Sequence, residues 1–309
     1  MKENKEDEEE LIDLDDQNNP KQNKENTIIH NSKTKNTLIN IKTVFLFITF
    51  LSLIIIIFYF FKGLLNKQMK QKTLIIFDFD KTLSLKDVFE EQRFLLPSKE
   101  EQEEIMEKLE YENWTLLMSS FYERIYELNI TIKDINNYID TLEYTPGMIE
   151  LLQYLEKHKN KYSLVILSAG HYLQVVRMLQ RFNLTQLFDE IITIPSHVEN
   201  EKIIITQGHE YNCDICNVGQ CKTFEYNLLI DKFKKKKKII FDKVYYICDG
   251  LNDYCLARNL KENDEIFIRK GFSLYKGLYE KGMIKNISCK VDCWNNGFDI
   301  INYFKSVEK

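Results

Sequence analysis

Three short apolar runs, each stopping at side chains that carry chemistry, constrain this chain more than any other feature. Thr73-Leu-Ile-Ile-Phe77 runs into Asp78-Phe-Asp80-Lys-Thr82, Tyr162-Ser-Leu-Val-Ile-Leu167 into Ser168, and Val244-Tyr-Tyr-Ile-Cys248 into Asp249-Gly-Leu-Asn-Asp253. Continuous apolar runs of this length are strands buried on both faces, which requires helices over both sides of a parallel sheet. The stretch from about 88 to 143 is rich in Glu, Leu and Tyr with helical spacing, as in Trp114, Leu117 and Phe121. Thr145-Pro-Gly-Met148 predicts a further helix, with Thr145 as N-cap and Pro146 in the first turn. The expected fold is α/β: a doubly wound, Rossmann-like parallel sheet with a small helical cap inserted at about 88–143.

The N-terminal part obeys a different pattern. Thr43–Phe61 is a 19-residue run without charge, bounded by Lys42 and Lys62. As a helix it reaches roughly 28 Å, close to the hydrocarbon thickness of a bilayer. It begins too far into the chain for a signal peptide and ends without small residues. The polar residues before it offer no partner for a buried core helix. It therefore reads as a transmembrane helix, preceded by a disordered polar and acidic tail over 1–42 and followed by a linker over 62–72 and a catalytic domain over 73–309. Lys62, Lys67, Lys70 and Lys72 slightly outnumber Lys33, Lys35 and Lys42, an excess that favours a cytoplasmic catalytic part. The N-x-S/T sites at Asn113, Asn129, Asn183 and Asn286 argue for the opposite face, so the topology stays open. With 42 basic and 47 acidic residues the net charge is −5, and no global attraction to nucleic acid is expected.

In open α/β sheets ligands bind beyond the carboxyl ends of the strands. Asp78, Asp80, Asp249 and Asp253 would converge there and repel one another unless a cation joined them. Oxygen ligands with no nearby histidine suit a hard ion, Mg²⁺ above all. His209, Cys213, Cys216 and Cys221 make up a zinc count in a separate stretch, with a compact loop of reduced thiols as the alternative.

These motifs resemble the haloacid dehalogenase-like phosphatases, and within them the phosphoethanolamine/phosphocholine phosphatase and pyridoxal-phosphate phosphatase family. The likeness rests on Asp78-Phe-Asp-Lys-Thr-Leu83, Thr145-Pro-Gly-Met148, Cys213-x-x-Cys216-x4-Cys221-Lys222, Cys248-Asp-Gly-Leu-Asn-Asp-Tyr-Cys255 and Ile268-Arg-Lys-Gly271, and spans residues 73 to about 305. It implies a phosphatase acting on a small phosphorylated metabolite. Asp78 would be the nucleophile, Asp80 the general acid and base, and Lys222 the catalytic cation. Thr82, Ser168 and Ala169 would bind the substrate phosphate. Mg²⁺ would be held by Asp78, Asp80 (through its carbonyl) and Asp249, with Asp253 in support. After Ser168 the chain has Ala169-Gly-His-Tyr172 where choline-type relatives carry Asp and then Asn, so a counter-ion for a quaternary ammonium is missing. That segment looks more like phosphoserine and methionine-salvage phosphatases. A tethered binding protein of the same fold with little or no turnover is the competing expectation.

Overall fold

The computed structural model describes residues 26–67, 69–108, 113–209, 213, 215–216 and 220–307. The chain divides into two units, the first ending at Lys67 and the second running from Gln68 to Lys309. Helix α1 spans Asn26–Lys67, and its stretch Thr43–Gly63 is 21 residues long, exposed and apolar enough to cross a membrane. The helix starts inside the segment expected to be disordered; the rest of that expected tail, 1–25, lies outside the described residues. It also runs past Phe61, and strand β1 (Lys70–Phe77) begins three residues after it ends, so the expected linker is largely regular structure.

The second unit is built on a six-stranded parallel sheet of order β3-β2-β1-β6-β7-β8. Its members are β1, β2 (Tyr162–His171), β3 (Glu190–Ile194), β6 (Ile239–Cys248), β7 (Glu265–Arg269) and β8 (Lys290–Trp294). β1 lies at the centre, pairing with β2 through Phe77↔Ile166 and with β6 through Phe77↔Ile247. The order reverses beside β1, and all three apolar runs of the sequence meet there.

The period-2 alternation of a strand sorts these residues between two cores. Ile75, Phe77, Leu164, Ile166, Tyr245 and Ile247 pack on one face, under α6 (Met148–Lys157), α7 (Tyr172–Gln180) and α11 (Gly297–Val307). Leu74, Ile76, Val165, Leu167, Val244 and Tyr246 pack on the other, under α8 (Lys222–Lys232), α9 (Tyr254–Ala257) and α10 (Ser273–Tyr279). Both faces are covered, as the uninterrupted apolar runs require.

The cap follows β1 as α2 (Val88–Gln92), α3 (Lys99–Lys108), α4 (Trp114–Glu127) and α5 (Ile132–Ile139). Asp87, Asn113 and Thr131 accept backbone N–H groups at the starts of α2, α4 and α5, which is why these short helices begin where they do. A two-stranded hairpin, β4 (Ser196–Glu199) with β5 (Lys202–Ile205), packs on α4 and completes the cap; the sequence reading did not include it. Its turn places Asn200 and Glu201 in the left-handed region without a glycine, so the usual turn signal is missing.

Thr145 does not cap α6. Thr145-Pro-Gly-Met148 instead closes a tight turn in which the Met148 N–H donates to the Thr145 carbonyl at 3.0 Å. Gly147, at φ +78°, supplies the left-handed residue that such a turn needs after proline, and α6 starts two residues later than expected. The Thr145 hydroxyl donates to the Ser84 carbonyl at 3.0 Å, tying this turn to the segment after the first motif.

His171 ends β2 against the cap. Its Nε2 lies 2.7 Å from the Tyr122 hydroxyl of α4, and its Nδ1 lies 2.9 Å from the Ser196 hydroxyl of the hairpin. Burial pushes the imidazole down to about 3, so it stays neutral in the fold while the unfolded chain protonates near the ordinary histidine value. The linkage sign follows: the unfolded state binds the extra proton, and stability falls as pH drops below about 6.5 toward the folded value. The contribution is at most about 1.4 kcal/mol per pH unit for one proton. His171→Gln is expected to flatten the decline of unfolding free energy between about pH 6.5 and 4; a variant keeping the full wild-type slope in denaturant titrations would contradict this.

Candidate active site

The site forms at the carboxyl ends of β1, β2 and β6. Asp78 leaves β1 in extended backbone and Asp249 follows β6 directly, so the pairing of these strands sets the two carboxylates side by side. Carboxylate oxygens of Asp78, Asp249 and Asp253 lie within 4.8 Å of one another, all in buried residues. Lys222, fully buried at the start of α8, places Nζ 2.5 Å from Asp78 Oδ1 and also pairs with Asp253. Asp253 further accepts from the Tyr246 hydroxyl and from the Gly250 N–H at 2.9 Å. Its oxygens are thus committed to protein donors, whereas among the described residues Asp249 has only the Thr82 hydroxyl, at 3.4 Å, donating to its Oδ1.

Three carboxylates against one ammonium leave an excess of negative charge out of water. Burial pushes Asp78 up to about 6, with Lys222 opposing. Burial, then Asp78 and Asp253, push Asp249 up to about 9. Burial opposes the charge on Lys222, but Asp253 and Asp78 outweigh it and hold the ammonium above the ordinary lysine range. This donor set fits a divalent hard cation: oxygen ligands, a buried site and an unmet need for positive charge.

Asp80 faces elsewhere. It is not one of the clustered carboxylates, and its Oδ1 accepts the Val88 N–H of α2 at 2.8 Å. Burial, then the neighbouring Asp87, push its carboxyl well above the ordinary range and favour the protonated form. The turn carrying Asp80 bends at Lys81, whose φ of 57° is left-handed and whose carbonyl accepts from the Arg269 guanidinium at the end of β7. Lys81 Nζ pairs with Glu90 of α2 at 2.9 Å. The acid-bearing turn is therefore held from both the sheet and the cap.

At the end of β2 the pairing with β3 slips between Leu167 and His171, and Ser168-Ala-Gly170 bulges out of the ladder. The Ser168 hydroxyl accepts the Gly170 N–H at 3.0 Å, and Trp114 Nε1 of the cap donates to the Ala169 carbonyl at 2.8 Å. A cavity of about 640 Å³ opens over Asp78, Asp80, Asp249, Ser168 and Ala169, with Trp114, Glu90, Phe272 and Lys276 on its outer walls. Of the residues read from sequence, Thr82 is buried behind Asp249 and does not line this cavity. Sequence reading assigned no role to Asp87, Glu90, Trp114, Tyr246, Arg269 or Lys276; Arg269 lay within the quoted stretch Ile268-Arg-Lys-Gly271 and Tyr246 within the strand that ends at Asp249.

The cysteine reading needs correction. The clustered sulfurs are those of Cys213, Cys216, Cys221 and Cys255, and His209 is not among them. His209 Nδ1 instead lies 2.7 Å from Glu225 Oε1 of α8, so the ring is turned to that carboxylate. Cys255 lies 34 positions beyond Cys221 and reaches the loop only because α9 packs beside α8.

A central β1 flanked by β2 and β6, with acids at two strand ends and a helical cap over them, defines a phosphatase of the haloacid dehalogenase-like class. A family described as "Putative Phosphatase" matches residues 73–307, and the chain belongs to it. Pyridoxal phosphate phosphatase PHOSPHO2 of Bos taurus is 28% identical over 247 residues, covering 77% of this chain and 99% of the relative. The phosphoethanolamine/phosphocholine phosphatase of Gallus gallus is 22% identical over 256 residues, covering 81% and 94%. Among solved structures, a phosphoserine phosphatase as its phospho-aspartyl intermediate analogue aligns with TM-score 0.50 at 18% identity, covering 76% of this chain and 99% of that one. A substrate-bound phosphoserine phosphatase complex aligns with TM-score 0.51 at 16% identity, covering 76% and 99%. The fold is shared, and the chain is a hydrolase acting on phosphate monoesters.

Lys222→Met is expected to cost about 3–5 kcal/mol of unfolding free energy in metal-free buffer, because it leaves Asp78 and Asp253 facing each other without the ammonium. A loss below about 1 kcal/mol in denaturant titration would show that the lysine is not what offsets the cluster.

Proposed function

We propose that this chain is a membrane-anchored, Mg²⁺-dependent phosphatase that hydrolyses a small phosphorylated metabolite through an aspartyl phosphate on Asp78. One observation carries the reading: two buried carboxylates two residues apart have different partners, the Lys222 ammonium for Asp78 and the Val88 N–H of the cap for Asp80. Asp78 sits against an ammonium and other acids, while Asp80 sits apart with its protonated form favoured. A nucleophile must be ionised and a general acid protonated, and this is the division the site supports.

Asp78 attacks phosphorus and the ester oxygen leaves with the proton of Asp80. Asp80, now ionised, takes a proton from the water that hydrolyses the acyl phosphate, and the enzyme is restored. Lys222 stays charged beside Asp78 and offsets the charge on the phosphoryl oxygens, and the Ser168 hydroxyl with the Ala169 backbone binds those oxygens. Thr82 orients Asp249, and Asp253 holds Lys222 in place. Asp78, the Asp80 carbonyl and Asp249 would hold Mg²⁺, which when bound supplies the positive charge that lets an anionic nucleophile meet an anionic ester.

The cavity limits the substrate to a small ester. The absence of a carboxylate immediately after Ser168 favours pyridoxal phosphate over phosphocholine, while the walls Trp114 and Phe272, with Glu90 beside them, suit a flat ring and an ammonium alike. The Ser168-Ala-Gly170 segment keeps phosphoserine as the second substrate to test. For the anchor, the exposed apolar stretch Thr43–Gly63 of α1 supports a single span, and the excess of lysines following it supports a cytoplasmic catalytic part.

Asp78→Asn is expected to lower hydrolysis of an aryl phosphate by about 10³-fold or more while near-UV circular dichroism stays native; substantial turnover would remove the nucleophile. Asp80→Asn is expected to cost about 10²–10⁴-fold on an alkyl phosphate and clearly less on a nitrophenyl phosphate, whose leaving group needs no proton. Equal losses on both would contradict the acid role. Excess EDTA is expected to abolish turnover and Mg²⁺ to restore it, measured on the same preparation.

A further inference from the structure

The cysteine cluster lies outside the reaction and is built like a metal site. Cys213 and Cys216 sit on one loop, Cys221 is the N-cap residue of α8, and Cys255 lies on α9. Their Sγ atoms all lie within 4.8 Å of one another, and none forms a disulfide. Four thiolates around one zinc ion at about 2.3 Å stand about 3.8 Å apart, so the spacing accommodates a tetrahedral ion with little adjustment.

Backbone donors are aimed at these sulfurs. The N–H groups of Ile215 and Cys216 point at the Cys213 sulfur, which is the way a C-x-x-C turn supports a metal-bound thiolate. The backbone and hydroxyl of Thr223 lie beside the Cys255 sulfur. Cys221 also stands at the positive end of an 11-residue helix, which favours negative charge there. Soft sulfur ligands with no carboxylate among them select zinc over magnesium, so the cluster would not compete for the ion of the phosphatase site.

We propose that Cys213, Cys216, Cys221 and Cys255 bind one structural zinc ion. Its place gives it a consequence. Cys221 adjoins Lys222 and Cys255 lies two residues after Asp253, so one ion clips together the two segments whose side chains form the Lys222–Asp253 pair. All four positions are occupied by protein ligands, as in structural sites; no open position is left for substrate or water.

The test is metal analysis of the full-length chain purified in detergent without chelator. One zinc per chain is expected, retained through an EDTA wash that removes Mg²⁺ and released in equal amount by a mercurial that titrates thiols. Growth on cobalt is expected to yield the thiolate charge-transfer and tetrahedral ligand-field bands of a four-sulfur site. Cys213→Ser and Cys255→Ser are expected to lose the zinc, whereas Cys289→Ser and Cys293→Ser keep it. A wild-type chain with no zinc, with iron instead, or with these cysteines joined as disulfides overturns the proposal, as does zinc that survives both cluster substitutions. Because zinc content is read apart from turnover, an inactive chain that holds zinc and an active chain that lacks it distinguish this proposal from the phosphatase mechanism.

Discussion

The buried meeting of Asp78, Asp249 and Asp253 with the single ammonium of Lys222 is the constraint around which the catalytic unit is arranged. Like charges at such separations cannot be desolvated together unless each is offset, and the surrounding structure offsets them one by one. Tyr246 from within β6 and the Gly250 N–H saturate Asp253. Thr82 reaches Asp249, and Lys222 bridges Asp78 to Asp253. What stays unmet is positive charge beside Asp78 and Asp249, on the wall of the cavity where a cation and a phosphate ester can both enter.

Asp80 shows how position within a few ångströms gives identical side chains different surroundings. The left-handed residue Lys81 turns the backbone sharply after it, and the Val88 N–H of the cap takes its carboxylate. The cap is thereby wired to the chemistry. Gln92 donates to Gln174 at 3.1 Å and accepts the Tyr122 hydroxyl at 2.8 Å, and Tyr122 meets His171. This buried polar chain links α2, α4, α7 and the end of β2, so a shift of the cap is felt at Asp80 and at the Ser168 bulge together.

The cysteines illustrate a different kind of support. α8 begins at Lys222 itself, with no side-chain cap from Cys221. A metal clip there would provide rigidity at the one helix whose first residue must stay between two carboxylates.

Much of this was legible in the linear chain. The uninterrupted apolar runs ending at Phe77, Leu167 and Cys248 determined a parallel sheet covered on both faces, because only that environment accepts strands with no polar side. The acids at two of those ends determined where the acidic cluster forms, since carboxyl ends of parallel strands share one edge. Tertiary structure alone decided the rest. Thr82 against Asp249, Arg269 on the Lys81 carbonyl, Trp114 on Ala169 and Cys255 in place of His209 are contacts between segments distant in sequence. Local periodicity carries no information about them, because they arise only when helices and strands settle at particular angles and registers. The start of α6 was misread for a related reason: proline and glycine signal a turn and a helix start equally well, and the hydrogen bonds of the folded chain choose between them.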